Sequence, residues 1–301
     1  MIASAYPTLF AFFERLYRPR RLMDGSPRTA QKYEITIRAF GRFLGRMPEV
    51  RDLEDDTISD FLCWYSTGRM PDTVWTARKH LVALGNFAHR RGIIPIAPDV
   101  QRVRLYERLP QPYTIDEISR LVQASRHMQG NFSGVPGALF FPALFLVAYD
   151  TGGRSDAIWS LCWSDYDERS CSMRFRAERQ KHRRDQILRI SQQTADALEA
   201  IRSPVREAIF ALGRSSQMRF YYVKKCLKAA GLPRGRNDQL KRIRKTTLTA
   251  CYELNVDATA QAGHRSDATT RKHYINPLNR VQAADVLPRP LIGDDAQLRL
   301  F

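Results

Sequence analysis

The chain has 301 residues, enough for two domains of ordinary size, and 44% of them are hydrophobic, so each half can bury a core. Its 48 lysines and arginines outnumber 31 acidic residues, which gives a net charge of +17 and a pI near 10.0. A field of that sign attracts a polyanion, so nucleic acid is favoured over a membrane surface. Five scattered cysteines (63, 162, 171, 226 and 251) contain no C-x-x-C pair, which argues against a disulfide framework and a zinc site and for a reducing, cytoplasmic setting.

The apolar stretch from Ile2 to Tyr17 carries Glu14 and Arg15 in its middle and does not read as a signal peptide. Ser26 followed by Pro27 predicts a helix start. After it Tyr33, Ile37, Phe40 and Leu44 fall on one helical face. A second helix is expected from Asp56 to Tyr65. A third is expected from about Pro71 to Arg91, with Val74, Ala77, Leu81, Leu84 and Phe87 as its stripe and Gly92 as its stop. The segment around Pro110 and Pro112 reads as a linker.

Thr114 and Glu117 have the spacing of a capping box, and helices follow at about 114–126 and 137–150. The longest apolar run, Leu139 to Ala148, is too short to cross a bilayer, so a soluble protein is expected. Gly152 and Gly153 turn the chain into a short helix near Arg154. The stretches 173–176 and 186–190 alternate apolar and polar residues and read as two strands joined by a basic hairpin. The remainder reads as helical to about Tyr274, with breaks at Pro204, Pro233 and Gly263.

Metal-protease, P-loop, dinucleotide-binding and serine-hydrolase motifs are all missing, and the acidic residues are dispersed. A different series stands out by its order. Thr151, Gly152, Gly153 and Arg154 come first, then Leu161, Trp163 and Asp165, then Lys181 in the basic hairpin. Lys241 and Arg244 follow three residues apart on one helix. Gly263 and His264 come next, and Thr269, Thr270 and Tyr274 last.

Residues 113 to 280 thereby resemble the catalytic domain of the tyrosine recombinases, the phage-integrase family. Its pattern runs T-G-x-R, a hairpin lysine, H-x-x-R or K-x-x-R, G-H, then T-T and tyrosine. Ser26, Thr29 and Tyr33 resemble the start of the family's helical core-binding domain. The resemblance implies a mainly α (α+β) protein: a helical core-binding domain at 1–103, a linker at 104–113, a mixed catalytic domain with a small antiparallel sheet at 114–284, and a tail at 285–301. The two domains would form a clamp around DNA. The sequence departs from the pattern in three places. Gly153 replaces the usual leucine. Ala157 stands where an acidic residue is common, with Asp156 one position early. Ten residues separate His264 from Tyr274, one more than is commonest, which puts His273 at the usual tyrosine position.

Attack of a tyrosine on a phosphodiester builds charge on the non-bridging oxygens, so catalysis is mainly positioning and electrostatics. The resemblance implies that Arg154 and Arg244 grip those oxygens with planar forks and that His264 donates a third hydrogen bond. Tyr274 is the nucleophile. Lys241 either takes its proton or supports the phosphate. Lys181 is the general acid for the departing 5′ oxygen. Only nine of the 48 basic residues are lysine, and Lys181 stands alone between Lys79 and Lys224. A lysine can give up a proton where an arginine cannot.

The expected partner is double-stranded DNA carrying a short inverted-repeat core site. The expected assembly is a homotetramer on DNA and a monomer free in solution, with no metal, no cofactor and no membrane, and nucleoid association. The alternatives are a type IB topoisomerase-like relaxing enzyme, a non-catalytic DNA-binding protein on the same fold, and a metal-dependent nuclease.

Overall fold

The computed structural model describes residues 7–23, 27–106, 109–180, 183–213, 215–235 and 237–275. Ser26, Lys181, His182 and the tail from 285 lie outside the described residues. The chain divides into two units, 1–108 and 109–301.

The first unit is helical. Short helices α1 (Leu9–Phe12) and α2 (Arg18–Arg21) are joined by a π-helical turn at Phe13–Tyr17, a segment that the sequence marked only by its apolarity. The turn buries Phe12, Phe13, Leu16 and Tyr17 together. Helices α3 (Pro27–Leu44), α4 (Asp55–Ser66) and α5 (Pro71–Arg90) complete the unit and match the expected spans to within a residue. Every residue of the α5 stripe is buried. On α3 Tyr33, Ile37 and Phe40 are buried and Leu44 half-buried, so helical period and core agree.

One polar pair interrupts this core. His80, 3% exposed, lies 2.9 Å through Nδ1 from Thr36 Oγ1, and the Tyr33 ring stacks on it at 4.0 Å. Thr36 donates its own proton to the Lys32 carbonyl, so His80 donates to Thr36 and stays neutral.

The second unit is built around α7 (Gly137–Thr151), which is apolar on nearly every side and buried from Phe140 to Ala148. Helices α6 (Ile115–Ser125), α9 (Gln192–Glu199) and α11 (Leu240–Glu253) pack against it. Thr114 caps α6 as expected: its hydroxyl accepts from Glu117 N–H while the Glu117 carboxylate accepts from Thr114 N–H. Among the described residues no helix is long and apolar enough to cross a membrane.

Beside α7 lies an antiparallel sheet of β3 (Tyr166–Asp167), β4 (Ser172–Phe175) and β5 (Gln186–Arg189), with Met173 opposite both Tyr166 and Leu188. A second hairpin, β1 (Asn131–Phe132) with β2 (Val135–Pro136), turns through Ser133 and Gly134, both at positive φ. The Ser-Gly dipeptide is a turn signal that the sequence reading passed over.

One expectation needs correction. Residues 200–213 are not helical apart from isolated turns. Pro204 removes a donor, and the following backbone pairs elsewhere: Trp163 N–H donates to Glu207 O and Ile209 N–H to Leu161 O. Ile209, Phe210 and Leu212 are buried by this route, so tertiary pairing satisfies the backbone that a helix would have satisfied. Helices α10 (Ser216–Ala229), α12 (Ala258–Ala262) and α13 (Asp267–His273) complete the unit.

Two predictions arise from these packings. Burial, with Lys79 and Lys32 nearby, pulls the His80 pKa down to about 4. The unfolded residue titrates near 6.5, so its contribution is complete above that pH and is lost as pH falls toward 4. The unfolding free energy from urea titrations should fall across that window by about 3 kcal/mol in wild type and by less in His80→Gln; parallel curves would exclude His80 as the cause. The second concerns Gly153, where a Cβ would sit 2.9 Å from Ile158 Cγ1 and 3.1 Å from the Phe175 ring. Gly153→Leu should overpack this corner and destabilise by about 1–3 kcal/mol, read as a lower Tm; an unchanged Tm would show that the corner can open.

Candidate active site

Three chain turns deliver the site. Helix α7 ends at Thr151, where Gly152 takes a left-handed φ of 56° and Arg154 caps the N-terminus of α8 (Ser155–Ile158). Helix α12 ends at Gly263, also left-handed at φ 61°, and the chain leaves it as His264. Helix α13 ends at His273, and Tyr274 departs from helical backbone at φ −129°, ψ −31°.

Arg244 of α11 joins these turns. It is 4% exposed, and it donates to Gly152 O at 2.5 Å, to Ala262 O at 2.9 Å and to His264 Nε2 at 3.1 Å. All three partners are neutral, and the buried Nε has no hydrogen-bond partner among the described residues. Burial pulls the Arg244 pKa down to about 10; Tyr274 opposes the shift and Arg154 adds to it. The group therefore stays a cation at neutral pH. Burial also lowers the Arg154 pKa, again against Tyr274. Arg154 Nη1 reaches Gln180 Oε1 at 3.5 Å, and Asp165, an obvious carboxylate for it, is instead taken by Arg176.

The Tyr274 ring lies 5.0 Å from the Arg244 guanidinium carbon and 5.1 Å from the His264 ring. Two contacts hold it there. Its carbonyl accepts from Thr249 Oγ1 at 2.9 Å, and the next residue, Ile275, is fully buried beside Leu248, Ala258 and Ala262. The break in helical backbone after His273 accounts for the long His264–Tyr274 spacing. His273 ends exposed on α13, while Tyr274 turns inward.

Arg154, Arg244, His264 and Tyr274 are thus brought together. Lys241 is not: it is exposed, and its Nζ donates to Asn237 Oδ1 at 3.2 Å. Arg244 faces inward on α11 and Lys241 outward, despite the shared spacing. Ala157 is buried and Asp156 exposed, so the acid shifted by one position faces solvent. Cys162 is buried and Trp163 packs half-buried against the core.

Sequence reasoning missed the residues that stitch the turns. Gln186 of β5 donates to Ala260 O at 2.8 Å and Gln261 O at 3.0 Å, and Gln261 donates to Asp150 O and Thr151 O. Thr249 carried no signal at all. Thr270, named in the motif, accepts or donates at His264 Nδ1 across 2.8 Å.

No curated protein sequence matches the chain. Several solved structures share its fold at low identity. A lambda integrase dimer bound to a COC′ core site aligns with a TM-score of 0.69 at 19% identity, over 91% of this chain and 79% of that one. The Tn1549 transposon integrase in complex with a circular intermediate DNA gives 0.68 at 12%, over 92% and 96%. XerH recombinase bound to palindromic difH gives 0.63 at 14%, over 82% and 76%. The profile of the Phage integrase family matches residues 113–280, more than half the chain and the whole of the site just described, and the chain belongs to that family.

Proposed function

We propose that the chain is a site-specific DNA recombinase that cuts and rejoins duplex DNA through a 3′-phosphotyrosine on Tyr274. The observation that carries this reading is the Arg244 cluster. A buried guanidinium held only by neutral acceptors costs free energy unless an anion completes the site, and the Tyr274 ring lies against it.

Arg244 and Arg154 would hold the non-bridging oxygens of a phosphodiester, where charge grows in the transition state. The Tyr274 oxygen would bond to phosphorus while the bond to the 5′ oxygen breaks. Lys181 would supply the proton that the 5′ oxygen needs. Lys241, exposed beside Asn237, is better placed to support a phosphate than to take the tyrosine proton. The phosphotyrosine conserves the energy of the broken bond, so resealing by a second 5′ hydroxyl needs neither ATP nor metal.

In this reading residues 1–103 are the core-binding domain, 104–113 the linker, 114–284 the catalytic domain and 285–301 a tail that joins protomers. The partner is duplex DNA with a short inverted-repeat core site, bound through phosphates and weakened steeply by salt. The assembly on DNA is a tetramer, as in the lambda integrase tetramer bound to a Holliday junction.

Two measurements test the chemistry. A nicked suicide substrate should trap wild type as a covalent 3′ adduct, with or without chelator. Tyr274→Phe should bind the same site and form none. An adduct in the Phe variant would move the nucleophile elsewhere. No adduct in wild type would leave a non-catalytic DNA-binding protein, and relaxation without strand exchange between two sites would indicate a topoisomerase. Lys181→Ala should cleave ordinary DNA slower by about 10²–10⁴-fold. It should recover on a substrate whose 5′ bridging oxygen is sulfur, a leaving group that needs no proton. Equal impairment on both substrates would show that Lys181 positions DNA only.

A further inference from the structure

We infer that Thr270 is a positioning residue that locks His264 as its Nδ1–H tautomer, so that His264 enters the reaction as the proton acceptor for Tyr274. The inference rests on the recombinase reading above.

The tautomer follows from the partners. Every nitrogen of arginine donates, so His264 Nε2, 3.1 Å from Arg244 Nη2, must accept. A neutral imidazole carries one N–H, which is therefore on Nδ1. Nδ1 lies 2.8 Å from Thr270 Oγ1, and Thr270 is 1% exposed, so the hydroxyl and not solvent receives that proton. The hydroxyl is itself held: Thr259 Oγ1 of α12 lies 3.1 Å from it and 3.2 Å from Asp267 Oδ1, and the single Thr259 proton is shared between these two acceptors. The acceptor for His264 is thus fixed between α12 and α13, on either side of the turn that carries the histidine.

This arrangement changes the role of the ring. With its proton held at Nδ1, His264 has nothing on Nε2 to offer a phosphate oxygen until it gains a second proton. The Tyr274 ring lies against it at 5.1 Å. When a phosphodiester arrives, Arg244 Nη2 can turn from Nε2 to a phosphate oxygen and free the lone pair. The Tyr274 O–H bond then breaks as an N–H bond forms at Nε2, and the phenolate oxygen bonds to phosphorus. The bond to the 5′ oxygen breaks and that oxygen takes its proton from Lys181. The imidazolium donates from both nitrogens, to Thr270 and to the phosphate. Lys241, the other candidate for the tyrosine proton, is exposed on the outer side of α11.

The test compares wild type, Thr270→Val and Thr270→Ser. Nitrogen-detected imidazole NMR of the DNA-free full chain, with His264 identified by its loss in His264→Gln, reads the tautomer directly. Wild type and the Ser variant should carry the proton on Nδ1, and the Val variant should lose that preference. On the nicked suicide substrate, Thr270→Val should form adduct about tenfold or more slowly and shift the acidic limb of the pH–rate profile, with half-site binding unchanged. Thr270→Ser should restore both rate and profile. Wild-type cleavage by the Val variant, or a wild-type ring protonated at Nε2, would overturn the inference. So would loss of half-site binding together with cleavage, since Thr270 would then be structural only. If wild type forms no adduct, the recombinase reading fails while the spectrum still decides the tautomer.

Discussion

Among the described residues, one buried cation organises the second unit. Arg244 takes its charge almost completely out of water, and what it gains in return are three neutral acceptors from two turns, Gly152 O at the end of α7 and Ala262 O and His264 Nε2 on either side of Gly263. A buried donor left without a partner costs about 1–3 kcal/mol, and more when it is charged. The end of α7 and the end of α12 are therefore held close to α11. Moving either of these turns would strand part of the guanidinium. The same constraint keeps Gly152 and Gly263 in left-handed backbone, because each turn must present a carbonyl or a ring to one point.

The helix that carries Arg244 is itself docked by an uncommon device. The buried face of α11 holds Thr246, Thr247 and Thr249 beside the core aliphatics. Each hydroxyl finds a backbone group outside the helix: Thr246 meets Tyr113, Thr247 donates to Tyr149 O, and Thr249 donates to Tyr274 O. A polar face can pack against α7 because none of its hydroxyls is left unpaired. One helix thereby sets the start of the second unit, the end of α7 and the proposed nucleophile in a common frame. Two glutamines, Gln186 and Gln261, tie the sheet to the same frame.

Charge is distributed differently in the rest of the molecule. Surface arginines pair locally with acids, as Arg18 does with Glu14, Arg38 with Glu34 and Arg271 with Asp267. Such exposed pairs contribute little to stability, about 0–1 kcal/mol each. Arg244 differs in its depth: it is 4% exposed, and the hydrogen bonds that hold it run to neutral groups. That contrast, more than the total of +17, separates this buried cation from a merely basic surface.

Periodicity alone determined α3, α4 and α5, because a helix of 12 to 20 residues repeats its apolar face often enough to leave no other reading. Capping chemistry likewise determined the start of α6. The order of short motifs pointed to Arg154, Arg244, His264 and Tyr274, since their residue types suit one kind of chemistry. What the sequence could not decide were matters of rotation and pairing. Lys241 and Arg244 share a spacing, yet only packing against α7 turned one inward and the other outward. Residues 200–213 surrendered helix because Leu161 and Trp163 offered their backbone from a distance of more than 40 positions. Tyr274 rather than His273 reaches the site because the backbone leaves the helix after His273, where Thr249 and Ile275 fix the next residue. These outcomes depend on groups remote in the chain, and a local pattern holds no information about which distant donor or apolar patch will meet it in the folded state.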